Sequence, residues 1–376
     1  MNRREFLKLS ALALTGCSRS PGTAPVPREL LLRSSRPFDL ETPVEAFQTR
    51  LTPNELFFLR SHHPEPAVTA ADWTLSLDGL VERPFELKLA QLEAAPRAAV
   101  TAVLQCSGNG RAFFRPRVAG VPWEKGAVGN AEWTGARLVE LLERAGPRPE
   151  ARWVVLRGLD QPLVKAPPFV RAIPLERALH PDTLVAYQMN GETLPQLHGY
   201  PARLVVPGWV GDDWVKWLSK ITLTAEEPDE FYYRTAYRYP TEPVEPGSKV
   251  PPEKMAVMTE MVVKSLFATP SQGTRVPAGS TVEIQGVAWS GGEAVVTRVD
   301  VGMAESDWHM AELEGEPAPY GWRIFRYRWR PPGPGRYTLR SRATDDRGAV
   351  QPLDPSPWNP SGYQWNTADS LTLEVG

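Results

Sequence analysis

Cys106 is the residue whose setting in the sequence most clearly suggests chemistry. It follows an apolar run that begins at Val103 and precedes a glycine-rich turn that ends in Arg111. Such a turn presents backbone NH groups to a ligand, and a nearby arginine holds anions and lowers the pKa of a thiol. Three functions therefore stay open: a nucleophile, a redox sensor, and a soft ligand of a metal held mostly by another group. The alternative is a buried structural cysteine, as most lone cysteines are.

Each of these chemistries needs partners elsewhere in the chain. A nucleophilic cysteine needs a histidine base, and a zinc centre needs several ligands at characteristic spacings. No His-x-x-x-His or similar spacing occurs among the five histidines, which are His62, His63, His180, His198 and His309. Two cysteines are also too few for a disulfide framework, an iron–sulfur cluster or a covalent c-type haem within this sequence.

Length and composition narrow the class of protein. The 376 residues predict two or three domains, and 42% hydrophobic residues indicate a globular chain. With 42 Lys and Arg against 44 Asp and Glu, the net charge of −2 is too balanced for a polyanion binder, so nucleic acid is excluded as a partner. The 39 prolines are roughly twice the average usage, which favours strands, turns and coil over long helices.

The elements that must position Cys106 are predicted to form an α+β domain over residues 51–250. Apolar residues at helical spacing predict a helix within 133–146, with Thr134 as N-cap and Gly146 as C-cap. Short apolar runs at 152–156 and 202–206 predict buried strands.

Residues 251–376 are predicted to form a second, all-β domain. A stretch rich in proline at 239–252 indicates an extended linker before it. Alternating strand-like segments then recur with turn signals and without a convincing helix, at 281–289, 295–301, 322–329 and 335–343. This pattern is typical of an immunoglobulin-like sandwich, although the Cys…Trp…Cys spacing of antibody domains is absent.

The N-terminus predicts export and a lipid anchor. Arg3 and Arg4 precede a short apolar run, which resembles a twin-arginine signal and is too short to span a membrane. The end of this run resembles a lipobox in which Cys17 is lipidated. Residues 1–17 are therefore predicted to be a signal and residues 18–50 a flexible tether. We expect an exported protein, periplasmic or otherwise extracytoplasmic, that meets the membrane through its lipid only.

The segment around Cys106 resembles the metal-ligand motif of the sulfite oxidase family of molybdenum-cofactor enzymes. The resemblance covers about residues 51–376, with both domains in family order. It implies that Cys106 ligates molybdenum, whose other sulfur ligands come from one molybdopterin, and that Arg111 binds the substrate oxyanion. A Gly-x-Pro-Trp segment further along is similar to the family segment that brings a tryptophan, here Trp123, to the substrate pocket.

Other segments extend the resemblance to the rest of the site. A Phe-Phe-x-Arg-x-His segment nominates Arg60 for the active site and His62 for the pterin, and Tyr237 falls on the catalytic tyrosine. The residues that the resemblance assigns to the pterin or its phosphate are Asp160, His198, Arg203 and Lys216. Taken singly, the histidines and Tyr237 could each be structural.

The resemblance implies oxidation of sulfite to sulfate by oxygen-atom transfer at a Cys-ligated oxo-molybdenum centre. Electrons would pass to an external acceptor such as a cytochrome c, and the second domain implies a homodimer. The sequence departs from the family at Gly110, Ala119 and Ala236, where charged residues are usual. Two alternatives stay open: a molybdopterin-dependent reductase of methionine sulfoxide or another S- or N-oxide, and a non-catalytic surface lipoprotein.

Overall fold

The computed structural model describes residues 29–35, 37–303 and 307–376. The predicted signal, the lipidation site Cys17 and the first part of the predicted tether lie outside these ranges. Across the described part of the chain, no helix combines the length and apolarity needed to cross a bilayer.

The first domain is built on two five-stranded sheets that enclose one apolar core. One sheet has the order β10-β9-β6-β5, with β11 also paired to β9, and the other has the order β4-β3-β12-β7-β8. Strands β12 and β3 are parallel, and the other pairs in these two sheets are antiparallel. The strands are β1 Leu31–Ser35, β2 Phe38–Glu41, β3 Thr74–Gly79, β4 Phe85–Lys88, β5 Arg97–Gln105, β6 Val128–Arg137, β7 Trp153–Gly158, β8 Val170–Pro174, β9 Leu184–Met189, β10 Glu192–Thr193, β11 Arg203–Val205, β12 Leu218–Thr224 and β13 Arg238–Pro240.

The α-helices of this domain are short: α1 Leu89–Glu93, α2 Leu138–Ala145, α3 Leu175–Ala178 and α4 Phe231–Arg234. The prediction that a helix begins after Thr134 is wrong, because residues 133–137 belong to β6 and pair with β9. A strand with neighbours on both sides gains ladder hydrogen bonds that outweigh the local helical pattern. The predicted C-cap is confirmed, since Gly146 adopts a left-handed φ of 69° and its NH bonds to Leu142 O.

The second domain is a sandwich of a four-stranded and a five-stranded sheet, with orders β15-β17-β21-β20 and β16-β23-β22-β18-β19. Phe267 and Ile284 of the first sheet and Leu339 and Leu373 of the second share one core, as alternating strands require. The strands are β14 Met255–Val257, β15 Lys264–Thr269, β16 Arg275–Val276, β17 Val282–Trp289, β18 Val296–Gly302, β19 Trp308–Met310, β20 Glu312–Leu313, β21 Arg323–Trp329, β22 Gly335–Asp345 and β23 Asp369–Val375. The predicted α+β domain followed by a β-sandwich is confirmed.

The segment predicted as a tether is partly folded, so that prediction is wrong for its C-terminal part. Strands β1 and β2 form an antiparallel pair, and the buried carboxylate of Glu41 accepts hydrogen bonds from the NH groups of Glu124 (3.0 Å) and Gly126 (2.6 Å). Arg33 forms an ion pair with Glu41 at 2.6 Å. The two hydrogen bonds to Glu41 join residues about 85 positions apart, which a local composition pattern does not reveal.

The second domain supports the strand that carries Cys106. The NH of Val103, in β5, donates to Tyr320 O at 2.8 Å, and Nζ of the buried Lys264 donates to Asn109 O at 3.3 Å. Residues of both domains therefore contact β5 and the turn that follows it.

Candidate active site

A recess opens at the end of β5. It brings together residues from across the first domain that the sequence had nominated separately. Among its lining residues are Arg60, His62, Cys106, Asp160, His198, Arg203, Lys216 and Tyr237.

The nominated side chains stand at the ends of regular elements, where a rigid scaffold can hold them. Cys106 directly follows β5 and Asp160 follows β7, while Arg203 begins β11. His198 ends a 3-10 helix, and Tyr237 lies between α4 and β13.

Cys106 is a free thiol with only 8% of its surface exposed, and its NH donates to Ala127 O at 2.9 Å. Burial raises the pKa of this thiol, although Arg111 and Arg60 act in the opposite direction. Arg111 does act to lower the pKa of the thiol, as the sequence predicts, but burial raises this pKa by more. A soft metal cation bound to the sulfur would offset the cost of burying a thiolate, because a thiol that coordinates a metal is deprotonated.

Arg203 is a buried cation, and no carboxylate within the described ranges forms an ion pair with it. Its guanidinium donates to His198 O (2.9 Å) and Trp214 O (3.0 Å), but Nε has no partner. Burial lowers its pKa to about 9. Since buried charges are normally paired, this arrangement fits an anionic ligand.

Lys216 adds a second cation beside Arg203. Its Nζ donates to Ser61 Oγ at 2.6 Å and to Leu197 O at 2.9 Å. Burial, reinforced by Arg203, lowers its pKa to about 7. Gly199 permits this approach: its φ is +112°, and a Cβ there would lie 3.1 Å from atoms of both Arg203 and Lys216.

His198 and Asp160 complete this part of the wall. Burial, Lys216 and Arg203 lower the pKa of His198 to about 3, so it is neutral at pH 7. Its Nε2 lies 3.3 Å from Asn54 O, and a neutral imidazole in this position donates to that carbonyl. Burial raises the pKa of Asp160, while Lys216 acts to lower it.

Tyr237 and His62, which also line the recess, form a hydrogen-bonded pair. The tyrosine oxygen lies 2.7 Å from His62 Nε2, and the imidazole stacks on Phe169 at 4.3 Å between ring centroids. Burial and the neighbouring cation Arg60 lower the pKa of His62 well below its ordinary value, whereas burial raises that of Tyr237 well above it. The tyrosine hydroxyl therefore donates to a neutral imidazole. The structure places His62 on Tyr237, whereas the sequence had nominated it for the pterin.

Arg60 supplies the cation of this region. It donates to Asp39 Oδ1 (3.1 Å) and Ser61 O (2.6 Å), and about 25% of its side chain is exposed. A guanidinium has five donors, so donors remain for an anion in the recess.

Arg111 and Trp123 are not among the residues that line the recess. Arg111 donates to Val121 O (3.2 Å) and to Ser361 O (3.2 Å), and its guanidinium lies 5.2 Å from the ring centre of Tyr363. Trp123 is fully buried, with its ring 6.3 Å from that of Phe58. Neither side chain lines the recess, and their roles at the substrate stay predictions.

Sequence reasoning missed several neighbours of the site: Asp39, Ser107, Phe169, Arg171, Asp212 and Asp213. Arg171 had a signal, since a lone charged residue interrupts the apolar strand β8. Two adjacent aspartates inside an otherwise apolar stretch were a second signal. Both patterns indicate a buried ion pair.

The donor set fits a phosphate-bearing organic cofactor that brings its own metal ligands. The described ranges hold no group of three or more His, Cys, Asp or Glu side chains suited to a metal ion. Cys106 offers one soft sulfur donor, and Arg203 and Lys216 form a cationic cradle in which the buried Nε of Arg203 has no partner.

Two protein-family models match the chain. The one described as oxidoreductase molybdopterin binding domain matches residues 62–232, and the one described as Mo-co oxidoreductase dimerisation domain matches residues 255–368. They agree with the predicted order of the two domains and with the predicted cofactor.

Curated relatives match over most of the chain. It is 38% identical over 349 residues to sulfite oxidase of Gallus gallus, covering 89% of this chain and 75% of that protein. It is 37% identical over 325 residues to mitochondrial sulfite oxidase of Drosophila melanogaster, covering 82% of this chain but only 56% of that longer protein.

A solved structure has the same fold. The sulfane dehydrogenase SoxCD from Paracoccus pantotrophus superimposes with a TM-score of 0.77 and 28% sequence identity, covering 96% of this chain and 87% of that one.

Proposed function

Because the chain belongs to the sulfite oxidase family of molybdopterin-dependent oxidoreductases, we propose that it oxidises sulfite to sulfate and passes the electrons to an external acceptor such as a cytochrome c. The observation that carries the proposal is one buried thiol in a recess that also holds Arg203, a buried cation for which the described residues supply no carboxylate partner. The reaction consumes sulfite and water and yields sulfate, two protons and two electrons.

The residues divide into a cofactor part and a substrate part. Cys106 would ligate molybdenum, and Asp160, His198, Arg203 and Lys216 would hold the pterin and its phosphate. When bound, the cofactor would supply the two-electron redox change and the oxygen-atom transfer.

Arg60 and Tyr237 would act on the substrate. Arg60 would attract a small dianion and orient its oxygens, because a guanidinium forms paired hydrogen bonds to oxyanions. Tyr237 keeps its proton at neutral pH, since burial raises its pKa well above the ordinary value. Held by His62, its hydroxyl keeps one orientation and can order water next to the anion.

The proposal is tested by molybdenum analysis of the purified protein together with sulfite-dependent reduction of cytochrome c or ferricyanide. We expect stoichiometric metal and turnover, and loss of turnover in Cys106→Ser. The matched control is Ser290→Ala, at a buried serine of the second domain. Protein without metal would contradict the proposal and restore the reading of a non-catalytic lipoprotein.

A second candidate, oxidation of a sulfane sulfur, is favoured by the similarity to SoxCD over 96% of the chain. Supplying sulfite and a persulfide in turn as the only electron donor separates the two candidates. Reduction of methionine sulfoxide by a reduced dye tests the reductase alternative. The match of residues 255–368 to a dimerisation domain disfavours that alternative, because such a reductase is similar to this chain only in the cofactor domain.

We also propose that the protein is exported, lipidated on Cys17 and dimeric through its second domain. The twin-arginine and lipobox patterns support export, and the dimerisation-domain match supports the homodimer. Fatty-acid labelling of the wild type and of Cys17→Ser tests the anchor. Light scattering of the protein lacking residues 1–28 tests the dimer, because this form retains every described residue.

A further inference from the structure

A buried arginine outside the assigned site joins its two halves. Arg171, in β8, has no exposed side-chain surface. It forms ion pairs with Asp212 (2.8 Å) and Asp213 (2.8 Å), and Nε donates to Asp213 Oδ1 at 3.0 Å. Its third nitrogen donates to the carbonyl of Tyr232. Each nitrogen of the guanidinium thus lies close to an oxygen of another segment, although the nitrogen shared by the two aspartates forms ion pairs without hydrogen-bond geometry.

One side of Arg171 leads to the turn that carries Cys106. Asp212 uses its second oxygen to accept a hydrogen bond from the Ser107 hydroxyl, which belongs to the residue next to Cys106. Asp212 also lines the recess. A displacement of Arg171 would therefore be transmitted through one carboxylate to this turn.

The other side of Arg171 leads to Tyr237. The guanidinium lies 5.1 Å from the centre of the Tyr237 ring and 5.6 Å from that of Tyr233, within the range of cation–π contacts. Tyr237 has a left-handed backbone with φ of 56°, a conformation that bulky residues rarely adopt and that needs support from its surroundings.

We propose that Arg171 is a positioning residue that fixes the Tyr237 hydroxyl relative to the Cys106 turn. The planar fork of arginine suits this task, because it meets two carboxylates and a carbonyl at once and still stacks on an aromatic ring. A lysine ammonium keeps the charge but lacks this geometry. The proposal has a structural consequence, which is the order of the Cys106 turn and of the segment around Tyr237, and a catalytic consequence, which is the rate of turnover. Only the catalytic consequence rests on the proposed function.

The structural consequence is tested by hydrogen–deuterium exchange of the full chain. Arg171→Met is expected to raise exchange in both 106–111 and 231–238. The matched control is Arg157→Met, because Arg157 lies on the neighbouring strand β7 and forms an ion pair with Glu230, directly before α4. The control is expected to affect 231–238 and to leave 106–111 unchanged. Unchanged exchange at 106–111 in Arg171→Met would overturn the proposal, whatever the substrate is.

The catalytic consequence is tested by a double-mutant cycle with sulfite as the electron donor. Arg171→Met is expected to lower kcat about 10- to 100-fold, the range for a displaced catalytic group. If Arg171 acts through the tyrosine hydroxyl, it has less than about a 2-fold effect in a Tyr237→Phe background. Equal effects in the two backgrounds would overturn the proposal.

Two controls keep the result interpretable. If Arg171→Met does not fold, Arg171→Lys carries both tests, since it retains the charge beside the two aspartates. Molybdenum content and thermal midpoint are measured for every variant, so that a loss of kcat is compared at equal cofactor loading. If the wild type turns over another donor in place of sulfite, the cycle is run with that donor.

Discussion

The ring of Tyr363, from the second domain, lies parallel to the ring of Tyr237, with centroids 5.7 Å apart and an interplanar angle of 3°. Arg111 lies over the same Tyr363 ring at 5.2 Å. The sandwich domain therefore packs directly against Tyr237, beyond any role in dimerisation.

Tyr363→Ala is expected to lower both stability and kcat. Removing a ring that is only 9% exposed should cost about 3 kcal/mol, as for other large buried side chains, and would remove the ring against which both Tyr237 and Arg111 pack. Urea unfolding and steady-state kinetics measure the two effects. Tyr363→Phe is the control, since it keeps the ring; if it loses as much as the alanine variant, packing is not the cause.

Tyr237→Phe is expected to lower kcat about 100-fold, a typical contribution of a group that handles protons. The ring and its stacking on Tyr363 remain, and only the hydroxyl that donates to His62 is lost. Sulfite should still bind, because Arg60 is unaffected. An inhibition constant for sulfate that changes along with kcat would contradict this division of roles.

The cofactor-free protein is expected to become more stable as the pH rises from about 7 towards 10. Burial lowers the pKa of Lys216 to about 7, whereas the same group in the unfolded chain titrates near 10.5. In this interval the unfolded chain binds a proton that the folded protein does not, so the free energy of unfolding rises with pH. Lys264, whose pKa burial also lowers to about 7, contributes with the same sign.

Lys216→Met should flatten this rise, as measured by urea unfolding across the interval. Lys165→Met, at an exposed position in the loop after β7, is the matched control and should leave the slope unchanged. A slope that is the same in Lys216→Met and in the wild type would rule out Lys216 as its source. Phosphate at millimolar concentration should also reduce the slope, because an anion beside Lys216 favours its charged form.

Glu41→Ala is expected to destabilise the protein by about 2 to 3 kcal/mol, since it leaves one buried and one partly buried NH group without an acceptor. These NH groups belong to Glu124 and Gly126. Thermal or urea unfolding measures the loss. The exposed Glu55→Ala is the control. Equal stability of Glu41→Ala and the wild type would mean that the N-terminal hairpin is a tether after all.

The sequence by itself determined the fold class, the order of the two domains and the cofactor. Strand patterns are local, so the sandwich strands and the apolar strand before Cys106 were predictable from short segments. The cofactor followed from several motifs in a fixed order. The helix predicted from Thr134 failed for the opposite reason: its local pattern was overruled by pairing with β9, about 50 positions away.

Only the tertiary structure decided which partner each polar side chain has. Arg203 has no carboxylate partner among the described residues, His62 contacts Tyr237 across 175 positions, and Arg111 donates to a carbonyl 250 positions away. Composition and spacing do not reveal such long-range contacts, because these contacts depend on how the sheets and loops pack. The assignments of individual site residues stay predictions, and their burial and pairing give each one a measurable consequence.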